Sequence, residues 1–166
     1  MPERRTRRRV ERDKAEHKAP STQAGEFIRE EMDHIREGKH GARSPQQAIA
    51  IGLSKARRSG VDLPPPPEGK ASEATRRKAR QDVERGRGKP ARRASPKRKA
   101  ATQEALEREG EAAASPRSLS RQAKAAAARR RPAERSASAK RASRTKGPAR
   151  RSRAAKKAAR ARAAHR

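Results

Sequence analysis

Nine of this chain's fourteen bulky apolar residues (Val, Ile, Leu, Met, Phe) lie between Phe27 and Leu63. A core is normally built from such residues, because burying one contributes roughly 1.5–3 kcal/mol. Positive charge is distributed the other way. Residues 64–166 carry 33 Lys/Arg against 9 Asp/Glu, while residues 21–63 carry 7 against 6. The chain reads as a small foldable module joined to a long polycation.

Composition sets the expected fold class. Charged residues make up 40% of the 166, mean hydropathy is −1.38, and Phe27 is the single aromatic. Ordering a backbone costs about 1–2 kcal/mol per residue, which a chain this polar is not expected to offset. The expectation is a mostly disordered protein with a small all-α helical hairpin and isolated marginal helices in its tail. The boundaries follow composition: a charged, flexible arm over 1–20, a hairpin module over 21–63, a Pro-rich linker over 64–71, and a low-complexity basic tail over 72–166.

Within the module, Ile28, Met32 and Ile35 fall on one helical stripe, with Phe27 beside it. Ser21 or Thr22 is placed to cap this helix, and Gly38 to end it. Ser44-Pro45-Gln46-Gln47 starts a second helix, with Ser at the N-cap, Pro at the first helical position and Gln at the third. Ala48, Ile49, Gly52, Leu53 and Ala56 share one face of it, Ile51 flanks them, and Gly60 is a natural stop. Ala48 and Gly52 allow close helix approach. The predicted packing or partner face is Phe27, Ile28, Met32, Ile35, Ile49, Leu53 and Ala56. Val61 and Leu63 are expected to fold back over the hairpin. A module of about 40 residues rarely stands alone, so self-association or docking on a partner is expected.

In the tail, Ser72–Arg85 and Thr102–Ala113 have helix character, supported by pairs such as Glu73/Arg77 and Arg80/Glu84. Neither shows an apolar face, so both are expected to be marginal in water. The Ala-rich runs 123–128 and 154–164 are expected to become helical once phosphates neutralise Arg/Lys repulsion.

A net charge of +29 calls for a polyanionic partner. DNA is the first expectation and RNA the second. Membrane insertion is not expected, because no run of 18 apolar residues exists. The Arg-rich residues 4–9 are followed by no apolar stretch, so a secretory signal is not expected. Cysteine is absent, which removes disulfides, thiolate chemistry and Cys-based zinc sites. A cytoplasmic, nucleoid location fits these features. Enzyme signatures and cofactor motifs are missing. Glu30 and His34 lie one helical turn apart with His40 close behind, a set that can hold a divalent ion. A solvated helix face is the plainer reading, so no metal is assigned.

Arg85-Gly86-Arg87-Gly88-Lys89-Pro90, followed by Arg92 and Arg93, reads as a narrow cationic ribbon suited to a narrow A·T-rich minor groove. It resembles the AT-hook, whose core is Arg-Gly-Arg-Pro, through Arg87, Gly88, Lys89 and Pro90. Lys89 replaces the second Arg of that core, and lysine is the more strongly hydrated cation. Ser95-Pro96-Lys97-Arg98, with Lys99 next to it, and the looser Ser115-Pro116-Arg117-Ser118 resemble the Ser-Pro basic turns of histone tails. Phosphate on either serine would repel DNA. The tail as a whole resembles those of linker histones and bacterial histone-like proteins, which implies backbone binding and compaction without base readout. Arg129, Arg130, Arg131, Arg150, Arg151, Lys156 and Lys157 are its further candidate contacts.

The segment Glu37-Gly38-Lys39, Ser44 and Gln47–Arg57, ending at Gly60, resembles a small uncharacterised bacterial domain. That resemblance implies a bacterial source and a module boundary, and no activity. Three functions stay open: a histone-like, nucleoid-associated DNA binder; an RNA- or ribosome-associated basic protein; and a protein-interaction hairpin carrying a localising tail.

Overall fold

The Ser44-Pro45 step does what its chemistry suggests. Ser44 is extended, its hydroxyl accepts the Gln47 amide at 3.2 Å, and Pro45 opens a helix running to Arg58. In a computed structural model, which describes residues 2–88 and 95–163, this helix is one of seven. They are α1 (Arg4–Ala15), α2 (Pro20–Arg36), α3 (Pro45–Arg58), α4 (Glu73–Gly86), α5 (Pro96–Glu107), α6 (Pro116–Ala128) and α7 (Pro132–Ala163), with a 3-10 turn over Glu111–Ala114. No strand occurs among the described residues.

The expectation of a mostly disordered chain is therefore wrong. The arm at 4–15 is a helix, and the tail is helical through most of its described length. Two physical reasons account for the difference. Counting bulky residues overlooks alanine, which among the described residues supplies seven of the twelve buried hydrophobic ones: Ala24, Ala42, Ala48, Ala56, Ala79, Ala113 and Ala114. Alanine loses no rotamer entropy on burial and lets backbones approach closely. Carboxylates are also buried, each against a partly exposed lysine: Asp13 with Lys18 at 2.8 Å and Glu30 with Lys55 at 3.0 Å.

The chain divides into two units, Met1–Gln122 and Ala123–Arg166. In the first, α2 and α3 form the expected hairpin, closed by Gly38 (φ 68°) and Gly60 (φ 82°). At their crossing, a Cβ added to Gly52 would lie 2.8 Å from the Ile28 Cα, so any larger residue would force the two helices apart. The α2 start differs from expectation: Ala19 is the N-cap, Pro20 the first helical residue, and no side chain caps it. The proline needs no amide partner there, which makes a Ser21 or Thr22 cap dispensable.

The apolar residues of the hairpin form two clusters. Phe27, Ala24 and Ala56 pack with Val10 of α1 and Val61, flanked by Leu53 and Leu63. Met32, Ile35, Ala42 and Ala48 pack with Ala113 and Ala114, flanked by Ile28, Ile49 and Leu119. The same chain thus covers both faces, with α1, the 3-10 turn and the start of α6. The size argument for self-association lapses, because the module is larger than 21–63.

α4 is not a marginal solvated helix either. Ser72 caps it by accepting the Thr75 amide, and it packs on α3 through buried Ala79 and Asp82. Glu73 pairs with Arg76 and Arg80 rather than with Arg77. Residues 61–67, which precede it, are irregular. The 3-10 turn lies against α2, where Arg36 Nε donates to the Ala114 carbonyl at 3.2 Å.

The second unit consists of the end of α6 and α7. α7 is interrupted at Gly147, whose backbone (φ 63°, ψ 164°) is non-helical just ahead of Pro148. Proline cannot donate to the ladder behind it, so the break falls where the sequence places it.

Candidate nucleic-acid interface

The C-terminal end of α5 docks on the α2–α3 loop. Gly41 N–H donates to the Leu106 carbonyl at 2.9 Å, and Ala42 N–H to the Gly110 carbonyl at 3.2 Å. A Cβ on Gly41 would sit 1.7 Å from the Glu109 carbonyl oxygen, so this approach also requires glycine. The docking leaves a groove of about 630 Å³ lined by Lys39, His40, Arg58, Lys78, Arg85, Arg98, Lys99, Thr102, Gln103 and Leu106. Six of the ten are Lys or Arg, contributed by the α2–α3 loop, α3, α4 and α5.

One carboxylate organises three of those cations. Asp82 is buried at 1% exposure, and its Oδ2 accepts the Ser54 hydroxyl at 2.6 Å. Arg58, Lys78 and Arg85 approach its Oδ1 at 3.8, 3.9 and 3.8 Å. That oxygen has no hydrogen-bond partner. Three positive charges therefore share one negative charge, at distances that hold the cationic ends without binding them tightly. Lys39 is more nearly balanced. Glu37 at 2.8 Å and Glu3 at 3.2 Å hold its ammonium above the ordinary 10.5. Arg98 and Lys99 are exposed on the first turn of α5, with no ion-pair partner recorded among the described residues.

The structure brings together only some of the predicted contacts. Arg85, Arg98 and Lys99 meet at this groove. Lys97 is exposed on the same α5 turn but does not line it. Arg85 and Gly86 are helical, and Arg87 caps α4, its Nη2 donating to Asp62 at 3.2 Å. The extended ribbon expected over 85–88 is thus a helix end turning at Gly88 (φ 90°). It is helical because Ser72 starts α4 and glycine at 86 allows contact with the Arg57 carbonyl, 2.0 Å from an added Cβ. Lys89, Pro90, Arg92 and Arg93 lie outside the described residues, and with them the second half of the AT-hook-like core.

The two Ser-Pro motifs are helix starts rather than free turns. Ser95 accepts the Arg98 amide at 3.3 Å, and Ser115 accepts the Ser118 amide at 3.2 Å. Serine at the cap with proline next to it is favoured at a helix N-terminus. In the second unit, Arg129, Arg130 and Arg131 are exposed where α6 gives way to α7, and Lys156 is exposed on α7. Arg150, Arg151 and Lys157 belong to α7, and their side chains lie outside those described.

Lys39, Arg58 and Lys78 were not expected from the sequence as nucleic-acid contacts. The sequence does carry a trace of their grouping, since Lys78, Asp82 and Arg85 are spaced to share one face of α4. His34 and His40 also depart from the solvated face expected of them, because their side chains are only 15% and 16% exposed. The carboxylate grouped with both of them is Glu31, not Glu30, and His34 also meets Glu3 at 2.9 Å. Among the described residues, no helix is long and apolar enough to cross a membrane. No family model matches this chain, and neither a curated protein nor a solved structure does.

Proposed function

We propose that this protein binds nucleic acid without enzymatic activity, duplex DNA first among its targets, and that it does so mainly through phosphates. The observation that carries this reading is the groove lined from α3, α4 and α5, where Arg58, Lys78 and Arg85 share the single charge of Asp82 and Arg98 and Lys99 add two cations without an ion-pair partner among the described residues. A phosphate entering there meets three cations already gathered around Asp82, so less side-chain entropy is lost on contact with them. Two of them are arginines on the α3–α4 side, whose planar forks suit phosphate oxygens. The remaining charge of the chain, +29 in total, adds non-specific attraction along a duplex. A histone-like, nucleoid-associated role is the physiological form of this proposal.

The test is a salt-titrated binding assay of the full chain on A·T-rich duplex, G·C-rich duplex and structured RNA. With about ten phosphates neutralised, affinity for duplex should fall by about 10³–10⁵ between 50 and 200 mM salt. Arg98→Ala with Lys99→Ala should lower the slope of log affinity against log salt by about 2. A flat salt response removes the proposal. Preference for RNA over both duplexes moves it to an RNA-associated protein.

A further inference from the structure

We propose that Glu31, His34 and His40 form a binding site for a divalent metal ion of the zinc class. Each brings one ligand atom to within 4.8 Å of the other two. Glu31 and His34 stand one turn apart on α2, and the α2–α3 loop returns His40 to them after the Gly38 turn. This proposal does not rest on the nucleic-acid reading.

Hydrogen-bond partners point the same way. His40 Nδ1 lies 3.0 Å from the Gly41 carbonyl, which can only accept, so Nδ1 carries the proton. In the neutral ring the lone pair is then on Nε2. Nε2 faces Glu31 Oε2 at 3.3 Å, a second group that only accepts. Glu31 is buried at 2% exposure, so water is poorly placed to separate them. Its other oxygen, Oε1, is occupied by the Lys55 ammonium, which aims Oε2 at His40. His34 is fixed similarly: its Nε2 lies 2.9 Å from Glu3 Oε1 and donates to it, leaving Nδ1 with the lone pair.

Both rings thus have one nitrogen held by an acceptor, as metal-binding histidines do, and His40 turns its other nitrogen to Glu31. One ring nitrogen donates to a carbonyl or carboxylate, which sets the tautomer and turns the other nitrogen toward the ion. A tetrahedral zinc ion with bonds of about 2.0–2.1 Å holds its ligand atoms about 3.3 Å apart. The Glu31–His40 pair already has that separation. Two imidazoles and one carboxylate suit zinc, iron, nickel or cobalt rather than magnesium or calcium. Bound there, the ion would join three segments: α2, the α2–α3 loop and, through Glu3, the residues ahead of α1. The same loop supplies Lys39 and His40 to the groove wall.

The test is titration of the full-length chain with Zn²⁺, and with Co²⁺ as a spectroscopic probe. Saturable 1:1 binding is expected, with a rise in melting temperature and visible Co²⁺ bands of four-coordinate intensity. Removing one imidazole with His34→Gln or His40→Gln should weaken binding by more than about 100-fold, and Glu3→Gln by about 10–100-fold. His17→Gln should leave it unchanged. Should either His→Gln variant lose its helical signal, ring resonances of the unaltered protein decide the matter. Zn²⁺ must then shift two of the four histidines, His34 and His40. A simple ion pair between a protonated His40 and Glu31 would show no saturable metal binding. That result, or binding indifferent to both His→Gln changes, overturns the proposal.

Discussion

Gly52→Ala sets two physical effects against each other. In an exposed helix interior, replacing glycine by alanine stabilises by about 1 kcal/mol, because the unfolded chain loses freedom and the helix gains a better former. At Gly52 the added Cβ falls 2.8 Å from the Ile28 Cα and 3.0 Å from both its amide nitrogen and Cγ1. Two of those three atoms are backbone, so relief requires α2 and α3 to separate. Ordinary contact begins near 3.4 Å, so the helices must part by about 0.6 Å, and overpacking of this kind costs about 1–3 kcal/mol. Taking about 2 kcal/mol for overpacking, the net expectation is about 1 kcal/mol of destabilisation. Gly25→Ala is the matched control. It lies inside α2 with nothing within 4 Å of an added Cβ, so it should stabilise by about 1 kcal/mol. Urea unfolding followed by helical circular dichroism measures both. In melting temperature, the two variants should move in opposite directions by about 4 °C each. A Gly52→Ala protein as stable as Gly25→Ala would refute the close crossing and, with it, the account of how so few bulky residues suffice.

Two further predictions test the charges. Lys55→Met leaves Glu30 and Glu31 buried without their ammonium partner, and should cost about 3–5 kcal/mol by chemical denaturation; a loss below about 1 kcal/mol would show that this cluster does not hold α2 to α3. Arg80, with Arg76 helping, holds the Glu73 carboxyl below its ordinary 4.5. A lowered carboxylate stabilises α4 fully above pH 4.5 and loses that contribution as pH falls through the folded value; carbon NMR should place the Glu73 midpoint below 4.5, and Arg80→Ala should raise it toward that value, with Arg76 still holding it below.

Local signals for helix ends were legible in the sequence. Ser44-Pro45, Gly38 and Gly60 act over a few residues and need no tertiary partner to be recognised. Val61 and Leu63 likewise fall where hydrophobicity suggests, against Phe27. What sequence patterning concealed was packing by small residues and by charges. Ala113 and Ala114 are buried some 80 residues away from the α2 positions they cover, and nothing in a poly-Ala stretch marks which alanines face inward. Asp82 looks like one more surface acid until Ser54 and Arg58 of α3 are brought to it. The groove was half visible for the same reason. Arg85, Arg98 and Lys99 stand out as charge, but their meeting with Lys39, Arg58 and Lys78 exists only once α5 docks on the α2–α3 loop.

The alanine-and-ion interior has a thermal consequence. The heat-capacity increment of unfolding grows with exposed apolar area and shrinks with exposed polar area. A first unit that buries Glu30, Glu31, Asp13 and Asp82 alongside alanines exposes little of the former and much of the latter when it opens. Its increment should fall below the usual ~12–15 cal/mol/K per residue. Its free energy of folding should then vary gently with temperature, a broad low dome instead of a sharp one. Heating also lowers the cost of removing the buried ions from water, so these pairs gain on warming.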